Sequence, residues 1–115
     1  MAAEDNLYFK NKKWEDRELL VNIYGLNCFI RYSELFYIIE LIGVINGTSI
    51  PSGGIKICDL PTRATPPEST VRIQSTDSRL SLSVQADATI WLYTSQNISS
   101  TQSGINCYGI FPLLY

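Results

Sequence analysis

The 115-residue sequence contains no histidine. That absence excludes Ser-His-Asp and Cys-His nucleophile systems, the usual general base near neutral pH and the commonest metal ligand. Cysteine is scarce. Cys28, Cys58 and Cys107 are an odd set without Cys-x-x-Cys spacing. They suit neither a disulfide-stapled scaffold nor a zinc site, so small, buried, reduced thiols are expected. Long apolar runs are missing as well. Leu35 to Ile45 falls far short of the ~20 residues of a membrane span and contains Glu40, so membrane insertion is not expected. The start, MAAEDNLYFKNKKW, lacks the apolar stretch of a signal peptide. Charge of one sign does not dominate. The net charge is −2, with four basic and five acidic side chains in residues 1–18 and no basic stripe, which argues against a nucleic-acid partner. Neither a metal nor a cofactor is expected.

What remains is the patterning of a β protein. Hydrophobic residues make up 45% of the chain, enough for one folded domain. Residues 1–20 are rich in charge and have no capping signal, which suggests a connector arm before a domain over 21–115. Short β-branched or aromatic runs then follow at 28–32, 35–45, 54–58, 70–74, 79–84, 89–94 and 106–114. Polar turn clusters separate them at 46–54, 75–78, 85–88 and 95–104. No helical period survives past residue 25, which excludes a βαβ sheet. The spacing describes an antiparallel sandwich or barrel.

Alternation assigns faces within the strands. Leu80, Leu82 and Val84 point inward while Arg79, Ser81 and Ser83 point to a wet face; Val71 and Ile73 oppose Arg72 and Gln74 in the same way. Residues 35–45 have almost no polar face, so both sides are expected to be covered, as in a central strand or a subunit contact. In Thr89–Thr94, Ile90 and Leu92 face inward, which leaves Trp91 and Tyr93 on the outer side. Two large aromatics there suit an intersubunit contact or cover by the N-terminal arm, or else a flat platform for a sugar ring. Asp77, Asp87, Asn106 and Tyr108, near strand ends, join Trp91 and Tyr93 as candidate ligand contacts. A glycosidase pair of Asp77 and Asp87 is disfavoured, because both fall in solvated turns that would not raise a pKa.

The order of features carries a resemblance. Trp14 stands in a charged segment, an apolar strand pair ends near Gly43 and Gly47, and GGIKICDLP follows. Ile57, Leu60 and Pro61 form an Ile-x-x-Leu-Pro step, with Pro66 in the loop after it, and the chain closes with ATIWLYT and GINCYGIFPLL. Over residues 14–114 this resembles the C-terminal head domains of phage and prophage tail-fibre, neck-appendage and baseplate receptor-binding proteins. TRATPP departs from the Gly-x-Arg-Pro loop of those domains, and RYSELFY from their Arg-Lys-x-Gly strand pair. The resemblance implies a jelly-roll-like β-sandwich, a homotrimer, and a place on the virion tail or baseplate after assembly in the host cytoplasm. Its implied partners are host cell-surface saccharide and other virion proteins. It also implies that Leu60 plugs the core and that the loop from Thr62 to Ser69 crosses between sheets. A purely structural virion protein and a carbohydrate-binding module of an enzyme are the alternatives.

Overall fold

The period-two patterning produces eight antiparallel strands and, among the described residues, no helix. A computed structural model describes residues 14–45, 49–99 and 104–114. The strands are β1 (Glu18–Ile23), β2 (Leu26–Tyr32), β3 (Phe36–Gly43), β4 (Gly53–Asp59), β5 (Val71–Gln74), β6 (Leu80–Val84), β7 (Thr89–Thr94) and β8 (Ile105–Pro112). They form two four-stranded antiparallel sheets, ordered β1-β2-β3-β8 and β4-β7-β6-β5. The chain meanders through β1, β2 and β3 and crosses to the second sheet at β4. It then enters that sheet's far edge at β5, meanders back until β7 lies beside β4, and returns to pair β8 with β3. The expected all-β, two-sheet architecture is what forms.

β1 is where the expected arm gives way to sheet. Residues 1–13 lie outside the described set, and Glu18 and Leu19 already pair with β2. The cause is a two-residue turn at Tyr24 and Gly25, whose φ values of 56° and 83° match the twist of the flanking strands. Gly25 suits such a turn, whereas a tyrosine at positive φ is uncommon and hides it from sequence reading.

The core lies between the sheets. Leu26, Cys28 and Ile30 from β2 and Tyr37, Ile39 and Leu41 from β3 meet Leu80, Leu82, Val84, Ile90 and Leu92 from the facing sheet, all buried. The run 35–45 does not have two covered faces. Its strand β3 is central in its sheet, but Ile38, Glu40 and Ile42 on the outer side are only half-buried, because no layer of the described residues lies over that side. Glu40 is matched there by Arg31 of β2, at 3.4 Å.

The Leu-Pro corner ends β4. Leu60 is buried in the core and its N–H donates to the Ala88 carbonyl at 2.8 Å. Pro61 follows, where the ladder has stopped and no N–H is required. The loop beyond does not cross between sheets, as β4 and β5 are opposite edges of the same sheet. It spans the end of the sandwich and is fastened to the other sheet. The Tyr37 hydroxyl donates to the Thr65 carbonyl at 2.6 Å, and Thr65 Oγ1 bonds both the N–H and the carbonyl of Leu114 at 3.1 Å.

Candidate functional site

Strand β7 runs through the interior of the second sheet, with Ile90 and Leu92 fully buried beneath it. The pleat therefore turns Trp91 and Tyr93 to the outer face, as their alternation requires. Both are half-buried, and their rings stack with centroids 6.2 Å apart and planes 20° from parallel. Gly54 of β4 lies opposite Tyr93 in register, and a Cβ there would run into the Tyr93 ring, so the missing side chain makes the room. From the other side Arg72 of β5 reaches across β6 and lays its guanidinium 4.2 Å over the same ring.

The serines of β6 correct the expectation of a wet face. Ser81 and Ser83 point outward but are only 7% and 0% exposed. Ser83 pairs with Arg72 on one side and Trp91 on the other, and these long side chains close over the short one. Its hydroxyl is buried with no partner.

Hydrogen bonds hold the aromatic pair at its ends. The Trp91 indole N–H donates to Thr89 Oγ1 at 3.0 Å, and Thr89 Oγ1 donates to Asp87 Oδ1. Gln85 Nε2 donates to the Tyr93 hydroxyl at 3.4 Å. Asp87 thus belongs to the aromatic site, as an exposed carboxylate that orients Thr89.

Beside Tyr93 a groove of about 230 Å³ opens, walled by Arg72, Gln74, Ser78, Arg79, Ser81 and Ser95. Its rim is the β5–β6 turn. Asp77 accepts from Arg79 Nε at 3.0 Å, from Arg79 Nη2 at 2.7 Å and from the Arg79 backbone N–H at 3.0 Å. The Arg79 side chain, and then its backbone N–H, hold the Asp77 carboxyl below the usual carboxylate range. Asp77 is thus committed to shaping the turn.

Asn106 and Tyr108 are not brought to this face. Both stand on β8, the edge of the other sheet, against a hollow of about 290 Å³ shared with Gln74, Ser75 and Thr76. Asn106 exchanges bonds with Thr76, donating its N–H to Thr76 Oγ1 and accepting the Thr76 N–H, each at 3.0 Å. Further along β8, an apolar hollow of about 400 Å³ is bounded by Pro66, Pro67, Val71, Ile110, Phe111 and Leu114. Exposed large hydrophobics cluster there: Val71, Ile110 and Leu114 are 37%, 55% and 62% exposed.

Arg72, Gln74 and Arg79 were the site residues hidden from sequence reading. The pattern turns Arg72 and Gln74 outward, but nothing in the sequence sets β5 two strands away from β7. No group of three or more potential metal ligands occurs among the described residues. Compared with known protein families and with curated proteins, the chain matches none.

The face offers flat apolar rings, hydroxyls and amides in one plane, and a groove with guanidinium donors. Such a surface can bind a polar ring-shaped ligand through its C–H faces and hydroxyls at once.

Proposed function

We propose that the chain is a non-enzymatic saccharide-recognition domain, serving as the head of a phage or prophage tail or baseplate protein that meets the host-cell surface. The observation that carries the saccharide reading is the stacked, half-exposed Trp91–Tyr93 pair on a sheet face otherwise made of hydroxyls, amides and charge. Asp77 supports a non-enzymatic role. Its carboxyl is held low by Arg79, the reverse of the raised pKa that a glycosidase acid requires.

The phage assignment rests on the resemblance carried by Ile57, Leu60, Pro61 and the strand order around them. Eight strands in two four-stranded sheets suit its jelly-roll-like head, although β1, β2 and β3 follow one another in a single sheet. Its homotrimer finds support in the apolar hollow at Val71, Ile110 and Leu114, a surface on which copies can meet while the Trp91 face stays open. Weak single sites suffice in such an assembly, since multivalency raises avidity by ~10²-fold or more.

Titration with host-wall saccharide, followed by tryptophan fluorescence and calorimetry, tests the reading. Saccharide should change the emission, and Trp91→Ala should abolish both signals while circular dichroism stays that of the folded β domain. Unaltered saccharide binding by the variant would remove the reading.

A further inference from the structure

The outer face of the second sheet is electrically lopsided. Lys56, the cross-strand neighbour of Trp91, is paired with Asp59 at 2.8 Å. Near Tyr93 the cation is Arg72, and no carboxylate among the described residues lies within ion-pair distance of it. Carboxylates outnumber cations in this chain, 11 to 9. An arginine without one is therefore informative. Its guanidinium sits 4.2 Å from the Tyr93 ring centroid, a contact that uses no N–H donor, and its side chain makes no hydrogen bond among the described residues.

A second guanidinium stands in the same groove. Arg79 commits Nε and Nη2 to Asp77, and Nη1 lies outside that pair. The Arg79–Asp77 pair cancels its own charge, so the groove's net charge comes from Arg72. Gln74 commits Nε2 to the carbonyls of Asp77 and Leu80 at 3.1 and 2.9 Å, and its Oε1 is left as an acceptor for a hydroxyl. The groove's 230 Å³ equals roughly eight waters at ~30 Å³ each, room for an acidic group and part of one sugar ring.

We propose that this groove is an anion subsite: it receives a carboxylate or phosphate carried by the bound saccharide, with Arg72 as the principal ligand and Arg79 Nη1 as the second. The inference rests on the saccharide reading of Trp91 and Tyr93 and adds a direction to it. A neutral part of the ligand lies over Trp91 and its acidic group points past Tyr93 toward Arg72.

The test uses the full chain labelled with ¹⁵N, following the Trp91 indole N–H and the Nε–H signals of Arg72 and Arg79. Three probes are titrated: oligogalacturonate, its fully methyl-esterified and therefore uncharged form, and inorganic phosphate. The charged oligomer should bind about tenfold tighter than its ester, the worth of one charge-assisted hydrogen-bonded contact. It should move both arginine signals together with the indole, and added salt should narrow the difference. Arg72→Gln, an exposed substitution on an edge strand, should erase that difference between charged oligomer and ester, and its salt dependence, while circular dichroism stays that of the folded domain. Phosphate moving the arginines where the carboxylate does not would identify the acidic group as a phosphate. Arginine signals indifferent to both anions, with the indole still responding, would overturn the subsite and spare the saccharide reading. An indole silent to every oligomer would overturn the reading and the proposal with it.

Discussion

Tyr37 shows burial and hydrogen bonding acting on one phenol. Its ring is fully buried, stacks on Phe111 at 5.2 Å, and donates its hydroxyl to the Thr65 carbonyl. Burial pushes its pKa up to about 12 from the ordinary 10, with the nearby Tyr32 as the lesser cause. A raised folded pKa means that this stabilisation is whole below pH 10 and is lost as pH rises through about 12. Tyr37→Phe should therefore cost about 1 kcal/mol at neutral pH. It should also flatten the fall in the urea midpoint between pH 10 and about 12. Asp77 gives the opposite sign. Its depressed pKa contributes stability above the ordinary aspartate value of 3.8, lost as pH falls through the lower folded value, so Asp77→Asn should shrink the acid limb of the same pH profile. All three cysteines are free, and two of them interact across the sheets. The neighbouring Cys58 thiol and burial push the Cys28 thiol up, while Cys28 holds the Cys58 thiol down. Burial pushes Cys107 up to about 11. Cys58, half-buried and the lowest of the three, should be the first alkylated by iodoacetamide, as read by peptide mass spectrometry.

Among the elements, β3 decides how far patterning can be trusted. Its run of apolar residues suggested two covered faces, yet Ile39 is fully buried while Ile38 is half-buried. Ile39→Ala should cost about 2–4 kcal/mol in denaturant unfolding, and Ile38→Ala clearly less, about 1 kcal/mol. Similar costs at both sites would mean that something covers the outer face. The end of β3 carries a separate constraint. Gly43 has φ +149°, and a Cβ there would strike the Gly25 carbonyl in the turn between β1 and β2. Gly43→Ala should destabilise by about 1–3 kcal/mol, because the clash is with backbone and no side chain can swing away. β7 was fully legible, since Ile90 and Leu92 alternate with Trp91 and Tyr93 over the whole strand. β1 was not, because Tyr24 disguises the turn that makes it a strand.

At the scale of the molecule, the open sides of the sandwich differ in chemistry from its faces. The β5–β8 side exposes Val71, Ile110 and Leu114 beside the proline loop, whereas the Trp91 face carries aromatic rings among polar groups, with Arg72 over Tyr93. If copies associate through the apolar side, solution mass by light scattering should show a trimer. Ile110→Glu should dissociate it to folded monomers, and Trp91→Ala should leave it intact. The sequence by itself determined the β class of the described residues, the inward faces of β6 and β7, and that Trp91 and Tyr93 leave the core. These properties are local, because side chains alternate every two residues whatever the strand's neighbours. Only the tertiary structure decided which strands lie side by side. It set β5 two places from β7, so that Arg72 reaches Tyr93, and β8 in the opposite sheet, so that Asn106 and Tyr108 stand apart from Trp91. Pairing order depends on long crossovers such as the one after Leu60. Their course is set by packing between residues far apart in the chain, and no local pattern records it.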